Sequence, residues 1–193
     1  MNVKFLIFLI ISFNFSTAFP AGIKGIVKNY DGGLEEAVVY IEKIEGKTFS
    51  PPTKPATLDQ VDLTFVPHIL PILVGTTVIF PNSDATRHNV FSPSKAKKID
   101  LGTYSPGSSK TVLFDKPGVF PILCHVHPEM SSFIIVIETP YFDVSNSLGN
   151  YYINDVPPGK YKLTVWHETE KAKSQMIEVV AGKDKTVNFI LDD

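Results

Sequence analysis

The sequence predicts an all-β protein, a sandwich or a barrel, on three observations. Short runs rich in Val, Ile, Phe and Tyr recur along the chain, the residues that suit half-buried strands. Fifteen prolines and twelve glycines are spread through it, at a spacing that punctuates strands rather than helices. No long stretch carries an apolar period near 3.6 residues, and no βαβ unit can be drawn.

In chain order the strands are expected at 23–28, 37–43, 58–65, 76–80, 89–92, 109–114, 118–123, 133–138, 151–154, 160–167, 174–180 and 185–191. The segment from Gly46 to Pro55 holds three prolines with Ser and Thr and reads as a linker or exposed loop. Pro117-Gly118 makes the turn into the seventh strand, and Thr139-Pro140 closes the eighth. Between linker and closure lie about 85 residues, enough for one small sandwich. Beyond Pro140, alternating aromatics around Pro157-Pro158-Gly159 read as a hairpin with one buried face.

The first residues speak to compartment. Lys4 precedes the apolar run Phe5 to Ile11, and Ser16-Thr17-Ala18 supplies the small residues of a signal-peptidase site. Residues 1–18 therefore read as a signal peptide cleaved after Ala18, which sends the chain to the periplasm or outside the cell. The run is shorter than the roughly 20 residues of a membrane span, so no stable membrane insertion is expected after cleavage. Without residues 1–18 the net charge is near −3. No Lys/Arg block points to nucleic acid.

The chain has one cysteine, Cys124, so no internal disulfide can form. Alone it would read as a buried small hydrophobe, a dimer link, a reactive thiol or a metal ligand. Its surroundings favour the last, because Cys124-His125-Val126-His127-Pro128-Glu129-Met130 places His and Met at three-residue steps after it. Thiolate, imidazole and thioether form a soft-to-borderline donor set. Two histidines, a thiolate and a weak axial thioether describe a blue-copper centre. The further histidine is offered by His88 in Asp84-Ala85-Thr86-Arg87-His88-Asn89-Val90. His125 competes with His127, but adjacent strand residues point to opposite faces, which sets His125 away from the side of Cys124. Asn89 is expected to hydrogen-bond the cysteine loop. His68 and Glu129 read as structural or exposed. Trp166-His167-Glu168 is a weak candidate for a second metal or partner site. No Ser or Cys has a base and orienting acid by motif, so no enzyme is expected.

The segments Phe65-Val66-Pro67, Val74-Gly75-Thr76, Phe80-Pro81-Asn82-Ser83-Asp84, His88-Asn89-Val90 and Pro117 to Met130 resemble a cupredoxin. The Cys-x-x-His-x-x-Met spacing is similar to that of the plastocyanin/amicyanin group. With the C-terminal segment, the chain resembles cupredoxins described as methylamine-utilisation proteins. The resemblance covers about half the chain. It implies a Greek-key cupredoxin β-sandwich at 56–139, with one copper ion cycling Cu(II)/Cu(I), His88, Cys124 and His127 as equatorial ligands and Met130 as the axial one. It also implies a one-electron carrier between redox protein partners; a copper storage or delivery protein would use the same ligands. Residues Gly149 to Leu163 resemble a carboxypeptidase regulatory-like, transthyretin-type sandwich, although Asn146 stands where that family has an acid. The same family opens with strands like Gly25-Ile26-Val27 and Ala37 to Tyr40. The expectation is therefore a second, smaller sandwich from 22–45 and 140–191, interrupted by the copper unit. The alternative is that 22–45 adds strands to the first sandwich. Chain ends far from the metal loops would leave the copper end free for partners.

Overall fold

The computed structural model describes residues 19–191. The signal peptide expected at 1–18 lies outside the described residues. Every regular element among the described residues is a strand, and no described helix is long and apolar enough to cross a membrane.

The strands form two stacks, each around its own apolar core. In the first, Ile99–Tyr104, His88–Ser92, Gly118–Leu123, Ser131–Ile137 and Ile69–Leu73 make one sheet in that order. The other sheet is Ser109–Phe114, Thr76–Pro81 and Ala56–Thr57. Strand alternation puts Thr76, Val78 and Phe80 inward. There Val78 and Phe80 join Phe114, Phe120, Ile122 and Ile134 in one cluster. Gly118–Leu123 runs antiparallel to Ser131–Ile137 with Leu123 opposite Ser131, so residues 124–130 form the connecting loop at one end of the sheet. His88–Ser92 meets the same end, with Phe91 opposite Leu123.

In the second stack, Ala21–Asn29 pairs antiparallel with Asn150–Val156 and parallel with Lys185–Thr186 and Phe189–Ile190. Val38–Ile41 lies between Phe142–Val144 and Gly159–Trp166, and Lys173–Val179 completes that sheet. Ile23, Val27, Val39, Ile153, Leu163 and Val165 share its core. Thus the segment near 22–45 makes its ladders with the C-terminal strands. A third, smaller cluster of Val38, Ile69, Ile135 and Ile137, with Phe133 and Trp166 packed on it, joins the two stacks. There the buried Thr139 Oγ1 donates to Ile41 O at 2.6 Å.

Several elements depart from expectation. The strand expected at 58–65 is a tight hairpin, Asp59–Val61 and Thr64–Val66. Asp62 and Leu63 both take left-handed φ values of 49° and 57°, the conformation of a two-residue hairpin turn. The side chain that supports it, Asp84, comes from 21 residues away and accepts from Leu63 N at 2.8 Å. The edge strands Ala56–Thr57, Ile69–Leu73, Ile99–Tyr104 and Phe142–Val144 were not expected. Ile69–Leu73 contains Pro71, tolerated because an edge strand need not use every N–H. Ile99–Tyr104 carries one charge, Asp100, and shifts register between Asp100 and Thr103, with Gly102 at φ 61°. The last expected strand is two short pieces on either side of buried Val187. At Asn146 the amide oxygen accepts from Leu148 N and Asn150 N, each at 3.0 Å, so it shapes the turn without a charge.

Candidate metal centre

Two loops at the same end of the first stack build the centre. Asn82, fully buried, anchors one of them. Its Nδ2 donates to Thr86 O at 2.9 Å, and its Oδ1 accepts from Asp84 N at 3.1 Å. This curls residues 82–87 so that the next residue, His88, enters the sheet opposite Tyr104. His88 is fully buried. Beneath it, Tyr104 OH donates to Phe80 O at 3.0 Å and lies 2.6 Å from Gln60 Nε2. Burial pushes the Tyr104 phenol up to about 12, so it stays neutral.

The second loop starts at Cys124, a buried free thiol. Met130 N donates to His127 O at 3.0 Å, closing a turn that brings His127 back over Cys124. Asn89 ties this loop to the neighbouring strand as expected, its Oδ1 accepting from His125 N at 2.6 Å.

The side chains converge. His88 Nδ1 and His127 Nδ1 lie 2.9 Å apart, and the ligand atoms of His88, Cys124 and His127 all fall within 4.8 Å of one another. Asp84 sets the state of His88, with its Oδ2 3.0 Å from His88 Nε2. A carboxylate only accepts, so the neutral imidazole carries its proton on Nε2 and leaves a bare lone pair at Nδ1. A carboxylate behind a histidine is how metal-bound imidazoles are commonly oriented. The N–H groups of Leu63, the His88 ring and the N–H of Ala85 hold the Asp84 carboxyl below its ordinary value. In the metal-free chain the bare His88 Nδ1 can accept from His127 Nδ1–H; with that proton lost, the two ring nitrogens and the buried thiol fit a cation that takes nitrogen and sulfur ligands, such as copper or zinc. Among the described residues this is the one such cluster.

The structure brings together three of the four expected ligands at their donor atoms. The fourth, Met130, is buried in the same apolar cluster as Cys124. His125 is left outside, exposed and stacked on Phe91 with ring centroids 3.6 Å apart and planes 9° from parallel. Glu129 is exposed. His167 Nδ1 lies 3.1 Å from Thr169 Oγ1. Glu168 instead pairs with His68 Nε2 in the first stack, and His68 Nδ1 is 3.2 Å from Ser131 O. The second stack therefore reaches nearer the metal loop than expected, while His125, Val126, Pro128 and Glu129 stay exposed. Asp84 has no role legible in the sequence. Its signal was an acid one helical-turn length before a histidine in a loop, which alone does not say which nitrogen it meets.

Comparison with known proteins gives a mixed picture. Residues 141–187 match the family described as polysaccharide lyase family 4, domain II. No curated protein matches the chain. Among solved structures the chain is similar to the Cu-containing nitrite reductase (NirK) from Thermus scotoductus SA-01, with 28% identity and a TM-score of 0.43. That match covers 51% of this chain and 25% of the reductase, so the chain spans about a quarter of that protein. It is also similar to a purple cupredoxin from Nitrosopumilus maritimus, with 26% identity over 42% of this chain and 98% of the other, at a TM-score of 0.38. A reduced single-residue variant of amicyanin is 21% identical over 45% of this chain and 91% of its own, at a TM-score of 0.41.

Proposed function

We propose that this protein is a type 1 copper protein of the cupredoxin kind that carries single electrons between redox partners in the periplasm or outside the cell. The observation that supports this most is the convergence of His88, Cys124 and His127 on one buried point, with two imidazole Nδ1 atoms 2.9 Å apart. In this reading His88, Cys124 and His127 would hold the ion and the Met130 thioether would be the weakest of the four donors. Bound copper would supply a one-electron couple. The chain's own part is to fix the donors. Asp84 selects the His88 tautomer, Asn89 pins the cysteine loop, and strands on both sides hold the two loops in register. Such rigidity keeps the donors alike in both oxidation states. His127 is half-buried between exposed Val126 and exposed Pro128, so its outer edge is the natural exit for an electron toward a briefly docked partner.

A fourth donor would leave no open position, so we read the centre as non-enzymatic. Storage or delivery with the same ligands would need ready exchange, and the burial of His88, Cys124 and Met130 favours retention. We also read 22–45 with 140–191 as one transthyretin-type sandwich into which the copper unit at 56–139 is inserted. The pairing of Ala21–Asn29 with Asn150–Val156 and of Val38–Ile41 with Gly159–Trp166 supports that. The test is a redox titration of the copper-loaded protein. Reversible one-electron bleaching without copper loss is expected. Prompt surrender of copper to a chelator in both oxidation states would replace the carrier reading with delivery.

A further inference from the structure

His68 lies at the junction of the two stacks, and both of its ring nitrogens face acceptors. Nε2 meets the Glu168 carboxylate from the loop after Gly159–Trp166, and Nδ1 meets Ser131 O at 3.2 Å. A neutral imidazole has one N–H and can satisfy only one of these; the imidazolium satisfies both. Ser131 directly follows Met130. The same short stretch is also held by the His68 backbone, since Phe133 N donates to His68 O at 2.9 Å and Ser132 Oγ donates to it at 2.7 Å. The ring of His68 packs edge-on against Phe133, with centroids 6.0 Å apart, and Phe133 packs on Trp166 at 5.3 Å.

We propose that Glu168 and a protonated His68 form a brace by which the second stack positions the strand leaving Met130, and so the Met130 side of the metal loop. This rests on the copper reading only for its last clause; the brace itself is a property of the metal-free chain. Glu168 and Glu36 are the charged groups that act on His68. Burial alone would lower its proton affinity, but the hydrogen bond and charge of Glu168, with a further contribution from Glu36, outweigh burial and raise it above the usual 6.5. His68 and Glu168 are positioning residues, touching none of the proposed ligands' side chains.

The experiment is side-chain histidine NMR and amide hydrogen exchange on the full metal-free chain, comparing wild type with Glu168→Gln and Glu36→Gln. In wild type His68 should titrate above an ordinary histidine, with both ring nitrogens protonated below that point. Glu168→Gln should lower the titration clearly, and Glu36→Gln should lower it less. Exchange at Ser132 and Phe133 should rise about three- to tenfold in Glu168→Gln, the scale of one partly exposed charged hydrogen bond, while Asn150–Val156 stays unchanged. An unchanged His68 titration in Glu168→Gln overturns the proposal. So does a uniform rise in exchange across both stacks, which would mean plain loss of stability. With copper bound, Glu168→Gln should keep the thiolate colour but shift the reduction potential, and an unshifted potential would remove the claim on the metal loop. A colourless copper-loaded wild type would defeat the copper reading instead, leaving the metal-free results to decide the brace.

Discussion

Replacing Asn89 with Ala tests how the metal loop is held. Asn89 is buried, and its Oδ1 takes the His125 N–H at 2.6 Å across the end of the sheet. The substitution removes that acceptor at the residue next to Cys124. A partly buried N–H left without a partner costs about 1–3 kcal/mol. Taking about 2 kcal/mol, and a urea dependence of about 2–3 kcal/mol per molar for a chain of this size, the unfolding midpoint of the metal-free protein should fall by about 0.8 M. The loop would also lose its fixed approach to His88, and disturbing groups that orient ligands costs about 10–100-fold in metal affinity. Urea unfolding of the metal-free variant and a competition titration with copper measure the two effects. A midpoint within about 0.2 M of wild type, together with unchanged affinity, would refute the reasoning and show that the sheet ladder alone sets the loop.

Other consequences are equally specific. Asp84 has a lowered native pKa, so its contribution to stability should be complete above the ordinary value of 3.8 and be lost as pH falls through the lowered native value. The acid limb of a stability–pH curve should flatten in Asp84→Asn, whose copper affinity should drop about 10–100-fold. His125→Ala should leave the visible spectrum of the copper-loaded protein nearly intact, whereas His127→Ala should abolish or shift it, since only His127 faces His88. Met130→Ala removes a side chain that is 1% exposed and should destabilise the metal-free protein by about 2–5 kcal/mol, read by thermal or urea unfolding. It should also shift the colour.

Much of this was legible in the sequence because it is written in local chemistry. The Cys124–Met130 spacing is a loop property, and its three-residue steps from Cys124 to His127 and Met130 marked His127 rather than His125. Runs such as Thr76–Pro81, with strict inward alternation, announce themselves. Elements that depend on distant partners were hidden. Ile69–Leu73 reads as a poor strand because of Pro71, yet it pairs in parallel with Ser131–Ile137, a partner some sixty residues on. The Asp62-Leu63 turn breaks an apparently continuous strand, and its support from Asp84 follows from the fold. The same carboxylate's grip on His88 was invisible for that reason. Glu168 reads as one acid in a weak motif, because its partner His68 belongs to the other stack.

The most direct test of the central claim is the visible absorption of the oxidised, copper-loaded protein beside its Cys124→Ser variant. The account predicts one copper per chain and intense thiolate-to-copper absorption in the wild type, lost in Cys124→Ser. A wild-type protein that binds copper in that amount and stays colourless, or whose colour survives in Cys124→Ser, would contradict it.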